Sequence, residues 1–152
     1  MASPDGLDDL RQAPSSSPSS QSERLASPVT GVDFVAVPST DWQRSRAFYV
    51  ETLGLRPDAT GRAEFWVGQT CFGIYEPTTF GLEFAPQTTA HLALGVDDVA
   101  AARAELEARG VEFEGDTFDT GVCHMAFFSD PDGNALMLHH RYSPRSEGES
   151  AS

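Results

Sequence analysis

The feature that most constrains this chain is an internal repeat. Phe34 to Trp42 lies over His91 to Val99 at a constant offset of 57 residues. Each copy opens with an alternating apolar strand, Val32 to Val37 and His91 to Val96, and passes through acidic or hydroxyl residues into a helix. The first helix has a capping box at Thr40 and Gln43, with Trp42, Phe48, Tyr49 and Leu53 on its apolar side. The second runs from about Asp98 to Arg109, with Val99, Ala102 and Leu106 facing inward. Both stop at a glycine, Gly54 and Gly110, where a left-handed cap is favoured. Strand-like runs follow. Residues 62–67 and 70–76 are joined by the two-residue turn Gly68-Gln69, and 112–118 and 122–129 precede 134–142, with Asp130 to Gly133 turning the last pair. Each half therefore reads βαβββ, and the fold class is α+β. One such half leaves a sheet face uncovered. Two pseudo-symmetric halves, about 31–86 and 88–142, can curl their sheets around a shared cleft.

Residues 1–28 hold eight serines and four prolines and almost no apolar residues, so they are read as a disordered tail, as are residues 143–152. That leaves 29–142 as one domain. Acids outnumber bases 23 to 10, and every base is arginine. The absence of lysine removes Schiff-base chemistry. A net charge of −13 argues against nucleic acid and against an anionic membrane surface as partners. No apolar run approaches the roughly 18–20 residues that span a bilayer. There is no apolar secretory segment at the N-terminus, and Cys71 and Cys123 are too few for a disulfide framework, so a cytoplasmic location is expected.

Three stretches carry a family resemblance. Residues 32–55 (VDFVAVPSTDWQRSRAFYVETLGL), 91–111 (HLALGVDDVAAARAELEARGV) and 127–140 (FFSDPDGNALMLHH) resemble, in order, the opening, the second half and the closing hairpin of the vicinal oxygen chelate superfamily. That superfamily contains glyoxalases, bleomycin-binding proteins and extradiol dioxygenases. The resemblance covers about residues 31–142 and implies the curved mixed-sheet fold and a homodimer. It is poor guidance to any one reaction, because the fold hosts several. Many members hold one divalent cation, Fe, Mn, Ni or Zn, through a His on the first strand of one half, a His or Gln at the equivalent place in the other, and a Glu late in the last strand. The corresponding residues here are Phe34, His91 and Met137. One ligand of three is retained, so no metal is expected at the usual positions and no cofactor is implied.

A rebuilt site from His91, Glu76 and His139 is the alternative for a metal. His91 with Glu76 is the alternative for metal-free acid–base catalysis. His91 is otherwise either a satisfied polar residue of a half-buried strand or a group that touches the ligand. The cleft is expected to be lined by Phe34, Ala36, Phe65, Phe72, Ile74, Met125, Phe127 and Met137, with His91, Glu76 and His139 as sparse polar groups. Phe127 stands where the family often has a cleft-facing tyrosine. Cys123 is read as a buried, inert thiol and His124 as structural. Glu64 and Trp66 share a face with Cys71 and Tyr75, and Trp66 is assigned to core packing. The function expected is binding of a small apolar or aromatic organic molecule without the usual metal. The rival is a lyase, isomerase or dioxygenase with a shifted site.

Overall fold

The computed structural model describes residues 25–146, and the described residues from Gly31 onward form one compact unit. Of the two tails read from composition, residues 1–24 and 147–152 lie outside the described residues. No described helix is long and apolar enough to cross a membrane.

The repeat is realised strand for strand. The first module contains β1 (Phe34–Pro38), α1 (Trp42–Ala47), β2 (Arg56–Pro57), β3 (Glu64–Val67) and β4 (Thr70–Tyr75). The second contains β5 (Leu92–Gly95), α2 (Val99–Ala108), β6 (Phe113–Asp119), β7 (Cys123–Ser129) and β8 (Ala135–Arg141). The sheets run β1-β4-β3-β2 and β5-β8-β7-β6. In each, the opening strand lies parallel to the last and the remaining pairs are antiparallel. The α+β, two-module architecture expected from the sequence is the one observed.

Local chemistry departs from expectation in three places. Asp41, not Thr40, caps α1, accepting from the Gln43 and Arg44 amides at 3.1 Å each, because Thr40 is drawn away to Asp132. α1 then widens into a π-helical turn, Phe48–Thr52, closed by the Leu53 amide on the Phe48 carbonyl at 3.0 Å. A 3-10 turn, Pro77–Phe80, follows β4 and ends at Gly81 in the left-handed region, φ 72°. The second helix is capped by Asp98, which accepts from the Ala101 amide at 2.9 Å. Asp98→Ala should therefore cost about 1 kcal/mol, read as a lower urea midpoint at unchanged slope.

Each helix covers one face of its sheet. Under the first helix the Tyr49 ring sits 4.7 Å from Phe72 and 5.7 Å from Phe65, centroid to centroid, and all three are almost wholly buried. Under α2, Val99 and Leu106 meet Leu94, Ala126, Phe128, Leu136 and Leu138. Strand alternation then sends the neighbouring residues to the opposite, uncovered face.

A buried polar network ties the turn between β7 and β8 to the start of the first module. Asp132, whose side chain is fully buried, accepts from the Ser39 and Ser45 hydroxyls on Oδ2 at 2.7 and 2.5 Å. On Oδ1 it accepts from the Thr40 amide, the Thr40 hydroxyl and the Arg44 guanidinium at 3.0, 2.7 and 2.7 Å. Two residues earlier, Asp130 accepts from the Tyr49 hydroxyl at 2.7 Å and from Asn134 Nδ2 at 2.8 Å. Asn134 also donates to the Pro38 carbonyl at 2.7 Å, and its Oδ1 accepts from the Gln87 amide at 2.9 Å. On the helical side of the modules, Arg109 donates to the Thr52 carbonyl at 2.8 Å. Burying these groups is tolerable only because they partner one another.

Candidate ligand-binding face

Register decides which side chains reach the uncovered face. In the first module Phe34 pairs with Cys71, Ala36 with Gly73 and Pro38 with Tyr75, while Glu64 lies beside Gly73 and Trp66 beside Cys71. These share one face, opposite the one that holds Val37, Phe65, Phe72 and Ile74. Phe34 is 65% exposed, and Trp66 and Tyr75 keep more than a third of their surface. In the second module Ala93 pairs with Met137 and Gly95 with His139, and β7 brings Phe127 beside Met137 and Met125 beside His139. His91 lies edge-on to Phe127, with ring centroids 5.2 Å apart.

In the second module Met125, Phe127, Met137 and His139 share one face, and His91 packs against Phe127 on it. The first module requires a correction. Phe34 is on the uncovered face, but Phe65 and Phe72 are not. They are 0% and 2% exposed against Tyr49, and Ile74 is buried on the same side. Trp66, assigned to packing, belongs instead to the uncovered face, where its Nε1 donates to Asp58 at 3.1 Å. Glu64, Cys71 and Tyr75 go with it. The signal was present in their alternation with Trp66; what it lacked was the side on which the helix lies.

Glu76 also changes role. It continues the buried side of β4, and its carboxylate accepts from the Trp42 amide at 3.0 Å, tying down the first turn of α1. His91 is on the other face against Phe127, so the proposed His91–Glu76 acid–base pair is not assembled. Nor is the His91, Glu76, His139 cluster: among the described residues no three His, Cys, Asp or Glu side chains come together as a metal-holding group. The donor chemistry at the usual positions does not fit a divalent metal either. Phe34 offers no donor, Met137 offers a thioether, and His91 is the one imidazole.

The remaining titratable groups do structural work. His140 Nδ1 lies 2.9 Å from the Val96 carbonyl, and His124 lies 3.6 Å from Asp119 with its ring against Tyr142, outside the helix-covered core. Cys123 is buried. Burial and then the charges of Glu64 and Asp58 push the Cys71 thiol up, away from a reactive thiolate. Between Phe34 and Tyr75 the face dips into a hollow of about 280 Å³ floored by Ala36 and Gly73.

A two-module α+β fold with an uncovered, aromatic-bearing sheet face defines a class of small cleft proteins. The chain belongs to the glyoxalase/bleomycin resistance protein/dioxygenase superfamily, whose family model matches residues 31–138. It is 33% identical over 123 residues to the uncharacterized protein YaeR of Escherichia coli strain K12, a match covering 72% of this chain and 95% of that one. Among solved structures it resembles TnmS3, an antibiotic binding protein from Streptomyces sp. CB03234, at 29% identity and a TM-score of 0.59, over 76% of this chain and 99% of that one. It also resembles a lactoylglutathione lyase from Agrobacterium tumefaciens at 19% identity and a TM-score of 0.61, over 74% and 94% of the two chains; at that identity the likeness speaks for the fold alone.

Proposed function

We propose that this protein binds a small apolar or aromatic organic molecule on the uncovered sheet face, without a metal at the family's usual position. One observation carries the reading: the first module leaves Phe34, Trp66 and Tyr75 on a sheet face with no helix over it. Large aromatic side chains are costly to leave in water, and sharing one uncovered face they offer stacking area to a flat ligand. The second module adds Phe127, Met125 and Met137, with His91 and His139 as orienting hydrogen-bonding groups. The antibiotic-binding relative supports the same reading. The enzymatic alternative is weaker, because its two requirements, a three-ligand metal site or His91 beside Glu76, are not met by these side chains.

Two measurements test it. A thermal-shift panel of neutral aromatic compounds should contain molecules that raise the melting temperature, since a ligand that binds only the folded state stabilises it. A flat response across the panel would count against binding. Elemental analysis of purified protein should find well below one equivalent of divalent metal per chain. Near-stoichiometric metal that a chelator removes and His91→Ala abolishes would restore the metal-dependent reading.

A further inference from the structure

We propose that the hollow over Gly73 takes the positively charged end of an organic ligand, an ammonium carried on an apolar or aromatic body. This rests on the binding function above and names the ligand class of its first module.

The two modules can be superposed through their registers. Ala36 pairs with Gly73 as Ala93 pairs with Met137, and Glu64 lies beside Gly73 as Phe127 lies beside Met137. By the same offsets Phe34 matches His91 and Tyr75 matches His139. The second module therefore fills its centre with a thioether and a phenyl ring. The first leaves its centre open and places a carboxylate beside the gap. Nothing local demands a glycine at residue 73. Its backbone is not in the left-handed region, and a Cβ there would meet the Ala63 carbonyl, Ala36 Cβ and Glu64 Cγ at 3.8, 3.9 and 4.0 Å, ordinary contact distances. The side chain is dispensable for folding at this point, and its absence makes the hollow.

The lining is one-sided in charge. Asp33 and Glu64 border the hollow, together with the rings of Phe34 and Tyr75, and no basic residue does. Two bases lie near without bordering it: Arg56 sits opposite Trp66 on β2 at the far edge of the sheet, and Arg62 lines the adjoining hollow beyond Tyr75. The Cys71 thiol senses the same field, since Glu64 and Asp58 both disfavour its thiolate. Two carboxylates and two aromatic faces suit an organic cation: the carboxylates attract its charge, and the ring faces attract a cation that has an apolar body to bury. A hard metal ion would find two carboxylate side chains here, and among the described residues no three His, Cys, Asp or Glu side chains come together to hold one.

Three isosteric probes separate the possibilities: protonated 2-phenylethylamine, neutral 2-phenylethanol and anionic 3-phenylpropanoate, titrated into the full chain at pH 7 and followed by amide chemical shifts. The ammonium is expected to bind at least tenfold more tightly than the alcohol, and the carboxylate more weakly than either, with shifts centred on Ala36 and Gly73. Glu64→Gln should bring the ammonium to within about threefold of the alcohol, as expected for loss of one charge partner. Gly73→Met, which fills the hollow as Met137 fills its counterpart, should abolish binding of the ammonium at Ala36. Equal binding of alcohol and ammonium, a preference that survives Glu64→Gln, shifts centred on His91 and Phe127, or no binding of the ammonium would each overturn the proposal. If the neutral aromatic panel still yields ligands, the cation inference alone has failed; if that panel is flat as well, the binding function has failed with it.

Discussion

Asp132→Ala should be among the most damaging single changes in this protein, lowering stability by about 3–5 kcal/mol, because two buried hydroxyls lose their acceptor at about 1–3 kcal/mol each while the half-exposed Arg44 adds little. The carboxylate accepts from Ser39, Ser45, the Thr40 amide and hydroxyl, and Arg44. The two serines are themselves fully buried, so their hydroxyls have no water to turn to. Their 2.9 Å approach to each other is close enough for one bond at most, and in the intact protein both protons are spent on Asp132. For a domain of this size such a loss lowers the melting temperature on the order of 10–20 °C. A fall of only a few degrees would mean that the network is decorative and that the modules are held by apolar contacts alone. Asp132→Asn keeps the shape but brings donors where donors already point, and should recover little.

The same carboxylate sets a pH signature. Burial opposes ionisation of Asp132, but the hydrogen bonds from Ser45, Thr40 and Ser39 outweigh it and hold the group at about 2, against 3.8 in the unfolded chain. A depressed folded value means the unfolded state takes up protons first. The contribution is intact above about pH 4 and is lost as the pH falls toward 2. Tyr49 works from the other end. Burial first, then the Asp130 charge, push its hydroxyl upward from 10, so its contribution is intact below that pH and is lost as the pH climbs above it. Denaturant midpoints at pH 7, 3 and 2 should fall in the wild type and fall less steeply in Asp132→Asn.

How the sequence was legible follows from where the information lies. The repeat, the strand count and the glycine helix stops are local or periodic signals, and they map directly onto the two βαβββ modules. The second module's faces were also readable: alternation separates Leu136 and Leu138 from Met137 and His139, and the family resemblance set Phe127 and Met137 toward the cleft, while composition alone does not choose, since His139 and His140 fall on opposite faces. In β4 both faces are apolar, Phe72 and Ile74 against Cys71, Gly73 and Tyr75, so alternation separates two sets without saying which is inside. Tyr49 decides it, by placing its ring over Phe65 and Phe72, and that choice depends on how the helix crosses the sheet. Trp66 looks like core by size, yet its indole N–H needs a partner and finds Asp58 at the rim. The turn from Asp130 to Gly133 was legible as a turn. Its second role was not, since Asp132 meets Thr40 and Ser45 across some ninety residues of chain with no local pattern to mark the pairing.

Phe72→Ala and Phe34→Ala should differ sharply, although both residues were read as lining one pocket. Phe72 is 2% exposed and packs in edge contact with Tyr49 and alongside Phe65. Removing its ring leaves a cavity among aromatic neighbours that are held in place by backbone on one side and the Asp130 bond to Tyr49 on the other. Such a site collapses poorly, so the expected cost is about 3–5 kcal/mol. Phe34 has little to lose on truncation because most of its ring already faces water, and Phe34→Ala should change stability by no more than about 0.5 kcal/mol. Ligand response should run the opposite way. A compound that raises the wild-type melting temperature should do so little or not at all in Phe34→Ala, because the ring walls the hollow over Gly73. In Phe72→Ala the rise should persist from a lower starting temperature for as long as the variant folds. If instead Phe34→Ala unfolds the protein and Phe72→Ala spares it, the sheet faces are assigned the wrong way round, and the binding face moves beneath the helix.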